Sequence, residues 1–453
     1  LGCTIFATAY VSESLRPSKL AKYFFPFSKT CLNVSEYKPS VPSSTTDTQP
    51  GKDLEARHFN IETAATDSVF KSTISISPEQ KVVGLGLFVR QTLFSFCDDT
   101  PRVWLDVIMP IEKVTNKLHF KEKIISTGGG AVDAIGLDNA PRVGSMTEAL
   151  QQKTWKFGKI NNNNRHKTGL ADLDVRINWT NGAEQWCQRS SFVGVLVPTG
   201  TRINGAQAAY LFSPVIGNNH HWGLTFGSLI NAHVWAREEH KIRLIYQVYS
   251  AILVTNYQIR SLDIKDKQWG RYMEIYKDQK AATLASASGN ARSGNSGINT
   301  FTKCMKVDPR YISTMSGTFM YEYKNFAAYA GYNLYLRHAE KVDLPEWTEH
   351  VALKSVNGVG ATTLARSVGK NFPQSDITDP DDYTDAIVPI SSLNFDSAAH
   401  PGVVSQTLFA NIGYNTSFCD KPVFVGLGGS YEFSSANNAL ERLMGWVILS
   451  ISL

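Results

Sequence analysis

The sequence predicts an all-β chain: an antiparallel, up-and-down transmembrane β-barrel of about twelve strands, or about 14 if the N-terminal region contributes. Three observations predict it. Runs of strand length recur in which apolar and polar residues alternate, and a period of two gives a β-strand unlike faces. The intervals between runs are mostly short and long by turns, as in a sheet threaded between two unlike sides. Aromatic residues gather at the ends of the runs, where a bilayer has its polar interface.

Composition agrees. Charged residues are only 19% of the chain, while aromatics reach 11% and there are 33 glycines; soluble domains carry about 25% charge, and this mixture favours strands and turns over helices. The net charge of +5 is scattered, with no basic block, so nucleic acid is not an expected partner. FVGVLVP and SAILV are the best apolar runs, far short of the ~18 residues of a membrane-spanning helix. The opening LGCTIFATAY lacks a basic n-region and a full h-region, so a secretion signal is expected to be absent or already removed. Six cysteines lie far apart without a CxxC; this arrangement permits disulfides without demanding any.

Residues 1–67 are weakly patterned around the loop-like SVPSSTTDTQPGKD and form a separate N-terminal segment, a plug or extra strands. The barrel is expected over 68–453. Its strands are read at 69–76, 82–96, 102–111, 169–179, 186–197, 222–236, 240–257, 311–323, 326–337, 405–414, 422–433 and 440–453. The long intervals 115–167, 259–308 and 338–404 fall on one side; SPEQ and SSANNA are short intervals on that same side and fit the alternation less well. SMTEALQQ, with Ser145 followed by Glu148, carries a capping-box signature for a short helix inside a long loop.

The stretch GLADLDVRINW shows the face assignment. Leu173, Val175 and Ile177 alternate with Asp172, Asp174, Arg176 and Asn178. Similar patterns place Leu244, Val248 and Leu334 with the lipid-facing set. Arg90, Asp106, Asp172, Asp174, Arg176, His233, Arg243, Arg337, Glu432 and Arg442 lie on the polar faces and are the candidate lumen-lining residues. Such charges either orient and select small polar solutes or form ion-pair ladders that fill a structural barrel. Trp179, Trp186, Trp222, Trp235, Tyr321, Tyr323 and Tyr431 are the candidate interface aromatics.

The last run, MGWVILSISL, puts Val447, Leu449, Ile451 and Leu453 on one face and Trp446, Ile448, Ser450 and Ser452 on the other. It resembles the closing strand of Gram-negative outer-membrane β-barrel proteins, although Leu453 stands where the terminal aromatic is usual. The resemblance is to an architecture and covers 68–453. It implies a place in the bacterial outer membrane, contact with outer-membrane lipid, and recognition of the last strand by the barrel assembly machinery.

Other chemistries find no support. His220 and His221 are adjacent, and neighbours on a regular strand point to opposite faces, so they do not form a chelating pair. STGGG lacks the Gly-Lys-Ser/Thr ending of a phosphate loop. SDITDPDDYTDAI lacks the glycine and closing glutamate of an EF-hand, and no nucleophile-elbow or catalytic-cysteine signature occurs. No cofactor, metal site or enzymatic activity is expected. Three functions remain: a channel or transporter for small solutes, open or gated by the N-terminal segment or a long loop; a surface-exposed structural or adhesive barrel whose loops bind partners; and a soluble, secreted, glycan-binding β-sandwich.

Overall fold

Alternation in the sequence becomes pairing in space. The computed structural model describes residues 2–36, 53–61, 69–94, 103–128, 135–184, 186–265, 267–277, 281, 294–353, 388–434, 436 and 439–453. Its main sheet contains β1 (Cys3–Leu15), β2 (Glu79–Phe94), β3 (Val103–Lys117), β4 (Arg165–Leu170), β5 (Leu173–Glu184), β6 (Cys187–Val197), β7 (Gly223–Arg237), β8 (His240–Leu253), β9 (Tyr311–Tyr323), β10 (Phe326–Arg337), β11 (Val403–Phe418), β12 (Lys421–Phe433) and β13 (Glu441–Ser452). With β4 set aside, chain neighbours pair antiparallel, and β1 pairs with both β13 and β2, which closes the ring. The result is a closed barrel of twelve strands. The short β4 is an extra strand that pairs with the far half of β3, whose other half pairs with β5.

Closure of the twelve-stranded ring removes its free edges, which is how a sheet satisfies its backbone groups in lipid; among the described residues of the main sheet, only the short β4 keeps an unpaired side. It also sets aside the two-sheet sandwich considered from sequence. Apart from β4, the strands run from 11 to 16 residues, at or beyond the ~9 to 11 that cross a bilayer when tilted. Tight turns at Glu238–Glu239, Lys324–Asn325 and Cys419–Asp420 join hairpins on one side, and Cys419 and Asp420 both have positive φ, as the turns favoured in two-residue hairpins require.

One strand differs from the sequence reading. Phe70–Ser75 does not enter the barrel; it pairs with Cys31–Ser35 and Lys121–Thr127 in a separate four-stranded sheet, with Phe70, Ser72 and Ile74 buried. Its place in the wall is taken by β1, whose Thr4, Phe6, Thr8, Tyr10 and Ser12 alternate with Ile5, Ala7, Ala9 and Val11. The exchange removes the SPEQ anomaly: the true interval on that side is 16–78, long like most of the others. The apolar face of β1 is a weak signal because two of its four outward residues, Ala7 and Ala9, are alanine.

The long intervals converge on the long-loop side as a folded cap with its own core. Trp155, Phe59, Phe301, Met305 and Tyr272 are buried there together, with Trp155 and Tyr272 stacked at 5.2 Å between ring centroids. The predicted short helix lies in this cap at Met146–Ala149: the Ser145 hydroxyl accepts from Glu148 N at 3.2 Å, and Met146 and Ala149 face the core. The acidic run SDITDPDDYTDAI and Cys97 lie outside the described residues; the five described cysteines are free thiols.

Candidate channel lumen and its mouth

Register fixes which side chains share a face. On the outside, Val83 is 50% exposed, Ile177 50%, Leu427 58% and Leu449 50%, forming with their neighbours a belt of apolar surface. At roughly 25 cal/mol per Å² such a belt is strongly unfavourable in water and suits lipid. Leu244 is exposed on this face, and Leu173, Val175, Val248 and Leu334 are half-buried among their outward neighbours. Trp179, Trp186, Trp235 and Tyr323 are exposed near the short-turn rim, joined by Phe326 and Phe418. Tyr321 belongs to that rim and its hydroxyl bonds His240 Nδ1 at 2.7 Å. Trp222 is exposed at the opposite rim, where Tyr431 stacks on Phe433.

On the inside, two adjoining cavities of about 780 and 340 Å³ share Asn333, Thr407, Ser430, Met444 and Trp446. Large inward rings lie across glycines of adjacent strands: a Cβ on Gly84 would come within 2.3 Å of the Tyr10 ring, and one on Gly428 within 2.5 Å of Trp446. Glycine there provides room for a side chain to lie flat along the wall.

The inward charges occur as local pairs. Arg90 holds both carboxylate oxygens of Asp106, at 2.8 and 2.9 Å, and its guanidinium stands 5.1 Å from the Trp104 ring centre. Arg176 bonds Asp174 at 2.7 Å, and its guanidinium stands 4.6 and 4.8 Å from the ring centres of Phe192 and Tyr249. Arg243 meets Glu322 at 2.9 Å, and Arg442 meets Glu432 at 2.6 Å. The wall is therefore polar and largely balanced, although Glu112, which lines the larger cavity, accepts from the Tyr10 hydroxyl at 2.6 Å rather than from a cation. His233 sits opposite Arg243 in register and is exposed near the short-turn rim.

Asp172 stands apart from these pairs. The chain breaks from strand at Ala171 and Asp172, and the buried carboxylate accepts from Gly200 N at 3.2 Å and Asn218 N at 2.6 Å. It thereby holds both ends of the 200–218 segment. Gly217 has φ +73°, and a Cβ there would lie 2.6 Å from Asp172 Oδ1. Held this way, the segment packs Ile216 on the inward residues Val82 and Val114, and Val215 and Gly217 become part of the lumen wall. Sequence reasoning had only the polarity of Asp172 to work with; its partners lie more than 25 residues away.

Above the segment, between barrel rim and cap, lies a further cavity of about 400 Å³ that includes Arg260, Arg271, Arg337 and His400. Val215 lines both this chamber and the lumen. Of its charged residues only Arg337 was singled out in the sequence, because the others come from loops without periodicity. Glu340 Oε2 receives Arg260 Nη2 at 3.3 Å and His400 N at 2.9 Å. Burial, aided by the Arg260 charge, pushes the His400 imidazole down to about 4. Nearby His221 bonds Val254 O and Gln258 through its two ring nitrogens at 2.8 Å each; burial lowers its pKa.

No family model and no curated protein matches the sequence. Among solved structures, an outer membrane channel from Pseudomonas putida F1 is similar at 10% identity, with 100% of this chain and 96% of that one covered and a TM-score of 0.39. The transport unit of the autotransporter AIDA-I from Escherichia coli is similar at 8% identity, with 100% and 90% covered and a TM-score of 0.32. The outer membrane channel DcaP of Acinetobacter baumannii is similar at 9% identity, with 100% and 98% covered and a TM-score of 0.21. These neighbours are bacterial outer-membrane proteins. The strand pairing itself identifies the fold as a closed, up-and-down antiparallel β-barrel.

Proposed function

We propose that this protein is an outer-membrane channel for small polar solutes, covered on its long-loop side by the cap. The observation that carries this reading is the polar cavity inside a closed wall whose outer face is apolar. Paired charges keep the lumen wettable without a large field of one sign, so the wall admits small polar solutes of either charge. The 200–218 segment narrows the path and the cap covers it, which suits a gated channel better than an open pore. In this reading the outward set from Leu173 to Leu334 meets lipid, the rim aromatics sit at its interfaces, and β13 is the strand recognised by the assembly machinery. The role is passage rather than catalysis.

Planar-bilayer recording of the full refolded chain tests it. Discrete current steps in potassium chloride are expected. A protein that inserts yet passes no current with any small ion would not be a channel. The cap supports a second reading, a barrel whose loops bind a partner, since four of the long intervals contribute to one core; that result would favour it.

A further inference from the structure

The 400 Å³ chamber beneath the cap combines two features that the lumen below does not. Its walls are largely apolar, with Leu20, Phe24, Leu211, Phe212 and Ile259 among them, and Phe24 and Phe212 lie 5.1 Å apart between ring centres. It also carries an unequal charge. Arg271 is committed to Asp263, with Nε and Nη2 at 2.8 and 2.9 Å from its two oxygens. Arg260 is shared between Gln258 and Glu340. Arg337, at the end of β10, makes no ion pair within 4 Å among the described residues, and its Nε is buried without a hydrogen-bond partner. His400 stays neutral near pH 7 because its burial depresses its pKa, so it adds no charge to be balanced. Among the described residues, the chamber therefore holds one positive charge more than the neighbouring acids Asp263 and Glu340 neutralise.

A buried guanidinium N–H without an acceptor is unfavourable, and a carboxylate is its best-matched partner in geometry and charge. We propose that this chamber binds a small amphipathic monoanion, a single carboxylate on an aromatic or short aliphatic body, with the carboxylate at Arg337 and the body among Phe24, Phe212 and Ile259. One spare charge favours a monoanion over a dianion. Apolar walls favour a body over a bare inorganic ion, and the volume lies within the usual range for small-ligand sites. The inference rests on the channel reading only for onward passage, through the Val215 boundary shared with the lumen.

The test is calorimetric titration of the full chain in non-ionic detergent with benzoate, benzamide and acetate. Benzoate is expected to bind at least tenfold more tightly than either of the others, since only it has both the charge and the ring. Arg337→Gln should weaken benzoate at least tenfold and leave benzamide unchanged; Gln207→Glu, which adds a resident carboxylate to the same lining, should also weaken it. Heat-modifiable electrophoretic mobility reports whether each variant is folded. Equal affinity for benzoate and benzamide in the unmodified protein overturns the proposal, even if neither variant folds. Loss of binding with current steps intact leaves the channel reading standing, whereas benzoate binding without any current removes the channel and leaves the site.

Discussion

The barrel wall and the cap are built from the same alphabet under opposite rules. In the wall, apolar residues such as Val83, Ile177 and Leu449 face outward and charged ones such as Asp106 and Glu432 face inward. In the cap, Trp155, Phe59 and Phe301 are buried together, as in a water-soluble domain. The difference teaches that two solvents act on one chain: backbone pairing holds the wall and permits its apolar surface to remain outside, whereas the cap depends on apolar burial.

The comparison can be broken most forcefully in the cap. Trp155→Ala removes a fully buried ring and should cost about 3 to 5 kcal/mol of cap stability. Limited proteolysis should then cut the long loops while the barrel keeps its heat-modifiable mobility. Simultaneous loss of both would mean that wall and cap fold as one unit.

In the wall the sign is reversed. Val175→Arg places a charge on the outward face and should cost ~2 to 4 kcal/mol near the bilayer midplane, read from urea titration of the protein folded into vesicles. A soluble domain would tolerate arginine at a half-exposed position with little change.

A smaller effect is expected where the two regions meet. Asp172→Asn exchanges a carboxylate that accepts from Gly200 N and Asn218 N for a neutral acceptor, and hydrogen bonds to charged groups contribute about 1.5 to 3 kcal/mol. Part of that should be lost, with wall stability little altered. Single-channel conductance should rise as the segment loosens; unchanged conductance would show that the segment does not narrow the path.

Acid should weaken the cap progressively and selectively. His400 has a folded pKa of about 4, against an ordinary value of 6.5. Between those values the unfolded chain binds the proton and the folded one does not. Stability is therefore full above about pH 6.5, falls as pH drops toward about 4, and flattens below, with a slope of at most about 1.4 kcal/mol per pH unit for this proton. His400→Gln should flatten that window in a hydrogen-exchange profile of the cap; an unaltered slope would assign it to other groups.

Much of the wall was legible because period two is a local signal. Eleven of the twelve runs read from sequence overlap strands of the wall. The other, Phe70–Ser75, has alternation of its own but pairs with Cys31–Ser35 and Lys121–Thr127; alternation identifies a strand without naming its sheet. The cap was not legible: Phe59, Trp155 and Phe301 meet across some 240 residues of chain in pieces too short to show a period. Among candidate lumen residues, position on a polar face was readable, but partner was not. Asp174 and Arg176 could be paired on inspection, being two apart on one strand. The bonds from Asp172 to Gly200 and Asn218 could not.

The measurement that bears most directly on the two-solvent account is spin-label accessibility along β5. Single cysteines at positions 173 to 178, in a background with the native cysteines replaced, would be labelled and reconstituted in vesicles. Oxygen should relax labels at 173, 175 and 177, while a water-soluble nickel reagent should reach those at 174, 176 and 178, a clean period of two. Equal access of the nickel reagent to all six positions, or the opposite phase, would contradict the account.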